Sequence, residues 1–440
     1  DDLSGKPIAS VKVDNSNMMV KGAVTPGVKG KHDLYLLFRG GDEQLFDLDW
    51  WVFTAKPNMP LIQTKYTADP APMVYDGKVF LYTTHDEDYA NGFMMKDWLL
   101  YTSKDMVNWE LVGNAFGGME RPQWVPDTRI WAPDIEYIDG RYCLYYAEGH
   151  WDDPKRSACG VAVSNSPTGP FTWTNVKDIN PLADPNGKLV DYASQHVSNS
   201  IDPDVIRDEV TGDYYLFWGS FGSDSGIWAI QLTSDGLAIA PGAEKVFIAY
   251  DLEGTYVHYK NGYYYCFGSK GSCCEGANST YHVVVGRSKN VLGPYEGKDG
   301  NLMSTRNSAF DSEANTILSG PASGYFAGTG HNAGIVTDDK GKDWMCYHNY
   351  WAGNKYDGRC MSMDEIVWGD GWPSTKTGFP SEAKTPGPTW KIAETKSGPV
   401  QTDNFASGSL IETGDSCGCR NTWKYSQENE NKYEIKIFYE

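Results

Sequence analysis

The chain has no run of 18 or more apolar residues, so it offers no helix-type membrane span. No charged leader followed by an apolar stretch opens it, so no signal peptide is seen; the start at "DDLSGKP" reads as a mature or trimmed terminus. Nine cysteines are present, yet no pair of C-x-x-C units occurs, which argues against a structural zinc site. Cys273 and Cys274 are adjacent in sequence, and joining them to each other would demand a strained ring. Basic residues are outnumbered: 38 Lys and Arg face 58 Asp and Glu, a formal net charge of −20. Such a surface repels a phosphate backbone, so nucleic acid is not an expected partner. A neutral ligand meets no such penalty, and the charge also serves solubility.

What is present is aromatic and glycine-rich: 28 Tyr, 16 Trp and 47 Gly. Long apolar helical stripes are few, so these residues point to β structure. Aromatic faces also suit the C–H faces of sugars, although core packing accounts for most rings.

The chain repeats itself. "YDGKVFLYTTHDE", "IDGRYCLYYAEGH", "VTGDYYLFWGSFG", "KNGYYYCFGSKGS" and "DKGKDWMCYHNYW" each place a turn glycine before an aromatic strand. Gly77, Gly140, Gly212, Gly262 and Gly341 are those glycines, in hairpin turns where a positive φ is easiest without a Cβ. Further strands follow in most units, closing on Trp109, Phe171 and Tyr295. Five such units predict an all-β fold, a five-bladed β-propeller over 61–375, with blades starting near Trp131, Asp202 and Glu253. A pair of β-sandwiches is the competing architecture. Residues 1–60, which include the strand-like "KHDLYLLFRGGDE", are expected to close or cover the propeller. After the linker "STKTGFPSEAKTPGP", residues 376–440 are expected to form a small β-barrel or β-sandwich accessory module; its abrupt stop at "KYEIKIFYE" reads as truncation.

Three acids hold matching places at blade starts: Asp69 in "TADPAPMV", Asp202 in "SIDPDVIRD" and Glu253 in "DLEGTYVHYK". An Asp-Pro pair alone is most often a turn. In a propeller, however, the innermost strands line one channel, and their leading residues meet at one end of it. Two carboxylates across a glycosidic bond suffice for hydrolysis, and a third can hold an acid's pKa up. Asp134 in "IWAPD" is a further acid, read as structural, with a role as the third acid the alternative.

The segments "ADP", "RIWAPDIEYIDGRYCLYYA", "SIDPDV", "GDYYLFWGSFGSDSGIW", "LEGTYV", "GSKGSCCEG", "VVVGRSKNVLGPY" and "GTGHNAGIV" together resemble glycoside hydrolase family 43 over roughly 66–373. The likeness is strongest to arabinan endo-1,5-α-L-arabinosidases, while the stretch after "ADP" resembles the arabinofuranosidase and xylosidase branches. The resemblance implies a secreted, periplasmic or cell-surface bacterial enzyme, a monomer, acting on a plant cell-wall pentose polymer. It makes Asp69 the general base, Glu253 the general acid and Asp202 the pKa modulator of an inverting reaction. Room for the attacking water then requires carboxyls roughly 6.5–9.5 Å apart. His331 matches the family histidine beside a cation, often calcium, held mainly through water. Trp131 matches a sugar-stacking tryptophan, and Trp151 would line a neighbouring subsite; blade packing is the competing use, more so for Trp151. An exo-acting α-L-arabinofuranosidase or β-xylosidase is the alternative activity, and a non-catalytic carbohydrate-binding propeller a further one.

Overall fold

The computed structural model describes 61–381, with breaks at 63–64, 88–93, 107–108, 115–120, 126–128, 223–225, 307–309, 321–325 and 353–357. Outside that span it describes 9–13, 34–39, 388, 402–403, 416–417, 421–422 and 433–439. Five antiparallel sheets follow one another along the chain. Blade I holds strands 67–75, 78–85, 98–103 and 110–114, and blade II holds 130–138, 141–148, 158–164 and 188–191. Blade III holds 204–207, 214–218, 227–231 and 246–249, and blade IV holds 253–260, 263–270, 282–288 and 316–319. Blade V holds 326–337, 343–351, 360–369 and 372–375. This is the five-bladed propeller the repeats predict.

The hairpin glycines explain why each blade starts where it does. Asp76-Gly77, Asp139-Gly140 and Asn261-Gly262 all have positive φ at both residues, the two-residue turn whose twist matches the flanking strands. Side-chain alternation then builds the ring. In strand 141–148, Tyr142, Leu144 and Tyr146 pack toward blade I, while Cys143, Tyr145 and Ala147 pack toward blade III. Strand 263–270 does the same, with Tyr264 and Cys266 against blade III and Tyr265 and Phe267 against blade V. Each second strand is buried on both faces, which is why it reads as a nearly unbroken apolar run.

Five apolar cores fill the five gaps between blades, including one in which Val79, Leu81 and Tyr101 of blade I meet Val336, Trp344 and Met361 of blade V. The ring thus closes by packing, with every blade built from contiguous chain. The strand Leu34–Arg39 joins no blade; it and Ala9–Val13 flank Tyr433–Tyr439 in a separate three-stranded antiparallel sheet. The short strand Thr402–Asp403 runs parallel to Glu110–Leu111 of blade I. Most of the expected N-terminal covering segment and of the C-terminal module lies outside the described residues.

One expectation is corrected. Phe171 and Tyr295 do not lie on closing strands: the outermost strands of blades II and IV are 188–191 and 316–319. The residue before each is a proline, Pro170 or Pro294, which has no N–H for a ladder, so these segments stay as loops pinned by isolated bridges at Thr172 and Glu296. Both rings are nonetheless fully buried.

Neighbouring inner strands are tied by a repeated hydrogen bond. Asp134 Oδ2 of blade II accepts from the Val205 amide of blade III at 2.8 Å. Asp204 Oδ2 of blade III accepts from the Val257 amide of blade IV at 2.9 Å, and the Tyr256 hydroxyl of blade IV accepts from the Ile335 amide of blade V at 3.0 Å. Between blades V and I the pattern stops. Gly334 stands in the acceptor's place, with Pro72 so close that a Cβ would lie 2.5 Å from its ring. Pro72 has no N–H to donate. That gap is held instead by Arg359 of blade V and by backbone bonds from the Leu61 and Thr67 amides to the Met361 and Arg359 carbonyls.

Candidate active site

Four innermost strands carry a register shift near their start: at 68–71, 131–133, 253–256 and 330–333. A bulge inserts an extra residue and re-aims its neighbours, a recurrent device beside active sites. Asp69, Asp202 and His331 all have positive φ, at 47°, 56° and 47°, and Gly254 lies at 58°. A left-handed backbone is uncommon for residues with a side chain, and here it turns two carboxylates and an imidazole into the channel.

One cavity is lined by Asp69, Asp202, Glu253, Trp131, Trp151 and His331, the six residues singled out from sequence. His348, Arg359, Tyr281, Met95, Ile201 and the Cys273–Cys274 pair complete its wall. Asp134 is not part of that lining. Its carboxylate is engaged in the bond to Val205, and burial, partly offset by that bond, pushes it up to about 6.

The acids differ in their surroundings. Burial acts to raise Asp69, but the Arg359 guanidinium, with His331 and His348, holds it well below the usual carboxylate range. Arg359 Nη1 donates to both Asp69 oxygens at 2.8 and 3.0 Å, and its Nε and Nη2 donate to Asp86. Two imidazole Nδ1 atoms approach Asp69 Oδ1, His348 at 3.0 Å and His331 at 3.2 Å. Burial lowers both imidazoles, His331 to about 4, so near neutral pH the rings that face the carboxylate are neutral.

Glu253 is shifted the other way. Burial raises it; hydrogen bonds from Ser220 and Tyr281 oppose that rise, and the Asp69 charge adds to it. Tyr281 Oη donates to Oε1 at 2.9 Å, and Ser220 Oγ donates to Oε2. Asp202 is raised well above its ordinary value by burial, by Glu253 and by Asp69, while its Oδ2 accepts from the Gly254 amide at 3.1 Å. One carboxylate is therefore biased toward ionisation and two toward retaining a proton, the pattern that divides base from acid.

Gly254 sits between these groups. A Cβ there would lie 3.0–3.2 Å from three His331 atoms, on a backbone that already disfavours side chains. Gly254→Ala is expected to cost about 1–2 kcal/mol from the left-handed backbone alone. A urea midpoint unchanged from wild type would contradict this.

The tryptophans reverse the sequence expectation about packing. Trp131 is 6% exposed and belongs to the core between blades II and III, whereas Trp151 is 59% exposed. Their rings lie 4.8 Å apart, tilted by 50°. Trp131 rests directly over Gly149, where a Cβ would fall 1.9 Å from the indole.

Asp69, His331 and His348 each present a possible ligand atom within 4.8 Å of one another. One carboxylate already paired with Arg359, plus two imidazoles, supplies too few oxygens for direct calcium coordination. Nearby on the inner strands and at blade V, His348 Nε2, Thr255 Oγ1, Thr329 Oγ1 and both polar atoms of Asn332 are buried without a protein hydrogen-bond partner. Such atoms call for water, so the residues fit a hydrated cation rather than a stripped one.

Sequence reasoning missed Arg359, His348, Tyr281 and Ser220. His348 lies inside the aromatic "CYHNYW" run, where a polar residue on a strand buried on both faces was the available signal.

Comparison with known proteins agrees with the propeller fold. The profile described as Glycosyl hydrolases family 43 matches residues 57–373. An extracellular exo-α-(1→5)-L-arabinofuranosidase of Cellvibrio japonicus is 32% identical over 300 residues, covering 62% of this chain and 79% of that protein. An extracellular endo-α-(1→5)-L-arabinanase of Bacillus subtilis is 31% identical over 283 residues, covering 62% and 78%. A solved Cellvibrio cellulosa α-L-arabinanase complexed with arabinohexaose superposes with a TM-score of 0.57 at 29% identity, covering 72% of this chain and 96% of that one.

Proposed function

The chain belongs to glycosyl hydrolases family 43 and is a glycoside hydrolase, and from that premise we propose that it hydrolyses α-1,5-linked arabinan with inversion at the anomeric carbon. The observation that carries the mechanism is the opposed bias of Asp69 and Glu253 within one cavity. Asp69, kept ionised by Arg359, takes a proton from a water on the far side of the sugar. Glu253, kept protonated by burial, gives its proton to the departing oxygen. Asp202, raised by burial and by Glu253 and Asp69, shares the buried site with Glu253, and adjoining carboxyls resist ionising together. Trp151 offers a ring face to a neighbouring sugar unit, and the buried Trp131 backs it.

Arabinan is the substrate because the relatives named above act on it or its links, and the neutral polymer suits an acidic protein. Their description as extracellular supports secretion. A hydrated calcium ion would rest on His331, near Asp69 and His348, and supply positive charge that favours the ionised base.

The test is the product profile on debranched linear arabinan, beside para-nitrophenyl α-L-arabinofuranoside and β-D-xyloside. A spread of arabino-oligosaccharides with little nitrophenol is the expected result and assigns internal cleavage. Arabinose alone, or fast nitrophenol release, assigns chain-end cleavage. No product from arabinan, or retention of anomeric configuration by proton NMR, overturns the proposal.

A further inference from the structure

Cys273 and Cys274 are joined to each other by a disulfide, and both line the cavity that holds Asp69, Asp202 and Glu253. They lie in the loop between the second and third strands of blade IV. That loop leaves the sheet beside the Glu253–Ser269 pair and returns at Tyr281, whose hydroxyl bonds Glu253. Its base is pinned: the Thr280 and Tyr281 amides both donate to the Ser272 carbonyl at 3.1 Å, and the Ser272 amide donates to Thr280 Oγ1 at 3.0 Å. Trp151 comes from the matching loop of blade II, a blade that does not adjoin blade IV in the ring.

A disulfide stabilises a fold mainly by closing a chain loop, and the effect grows with loop length. Two adjacent residues enclose almost no chain, so this bond adds next to nothing of that kind. Its effect is local. It removes two rotatable thiols and their S–H groups and leaves a rigid, polarizable, apolar plate. Cys143, Cys159, Cys266 and Cys346, by contrast, are buried and free.

We propose that the Cys273–Cys274 disulfide is a sugar-contacting wall of the substrate cavity, receiving the apolar face of a pentose unit held against Glu253. It is a specificity element of the reaction, not a participant in it, and it rests on the arabinan-hydrolase reading above. Losing it removes apolar contact and preorganisation from binding, so KM rises while the turnover of bound substrate is retained.

The test compares wild type, the Cys273→Ser/Cys274→Ser double variant, and wild type treated with a water-soluble trialkylphosphine. The phosphine takes oxygen from water to become its oxide, and the disulfide gains two hydrogens as thiols. Cys360 is also disulfide-bonded, so the double variant isolates the vicinal pair. With arabino-oligosaccharides we expect KM to rise roughly five- to tenfold, the scale of one lost apolar contact, with kcat and melting temperature near wild type. Reoxidation of the phosphine-treated enzyme restores KM. An unchanged KM overturns the proposal, as does a fall in kcat at constant KM, which would make the loop a support for Tyr281 instead. A wild type inactive on arabinan refutes the underlying reading by itself; the same comparison then runs on xylo-oligosaccharides, where an unchanged KM again overturns the wall.

Discussion

Glu253→Gln lowers kcat/KM on linear arabinan by about 10²–10⁴-fold, the range over which a general acid contributes. The substitution keeps the shape and leaves an oxygen to accept from Tyr281, so folding is retained. The loss depends on the leaving group: an aryl arabinoside, whose phenol needs little protonation, loses much less than the polymer. Equal losses on both substrates would assign Glu253 to binding or positioning, and near-normal activity on the polymer would remove it from the mechanism. In the wild type, the alkaline limb of the kcat/KM profile lies above the ordinary carboxylate range because Glu253 is raised. The acid limb lies below that range because Asp69 is lowered.

Arg359→Met destabilises the protein by about 3–5 kcal/mol, because it leaves Asp69 and Asp86 as buried acids without their shared cation. The sign of the pH effect follows from the same contact. Asp69 in the folded wild type lies below its unfolded value. Its pairing therefore adds stability that is present above the ordinary carboxylate range and is lost as pH falls toward the folded value. Without the guanidinium, the Asp69 pKa climbs, and the acid limb of the activity profile moves upward. Arg359→Lys restores a charge but not the fork that reaches both acids, so it recovers the acid limb better than the melting temperature. Melting and pH profiles both unchanged in Arg359→Met would refute this account. Hydrogen exchange at the Leu61 and Thr67 amides, which bond across the same gap, reports the opening locally.

Much of this arrangement was legible because it is local. A glycine with an Asp or Asn before it announces its own hairpin, as at Gly77, Gly140 and Gly262, and the alternation that follows fixes the strand. Asp69, Asp202 and Glu253 could be paired with one another because they repeat at one blade position. Arg359 repeats nowhere. It meets Asp69 only because blade V returns to blade I, 290 residues away in sequence. Tyr281 resembles any aromatic leading into a strand, and its ring fits beside Glu253 only because Gly330 of blade V has no Cβ. Phe171 and Tyr295 were misplaced for the opposite reason: their burial was readable, but the loss of a ladder donor at the preceding proline outweighed strand propensity.

The seam between blades V and I has a meaning for biosynthesis. Three of the ring's junctions carry a bond between neighbouring inner strands that can form as soon as the next blade emerges. The last junction waits for residue 359, after nearly all of the ring has been made. Until then Asp69 has neither its guanidinium nor its two imidazoles, since His331, His348 and Arg359 all arrive with the final blade. A nascent or nicked chain that has not closed its circle thus lacks the partners that hold Asp69 ionised. Completion of the ring and ionisation of Asp69 are one event, so under the proposed mechanism the unfinished polypeptide has no competent base.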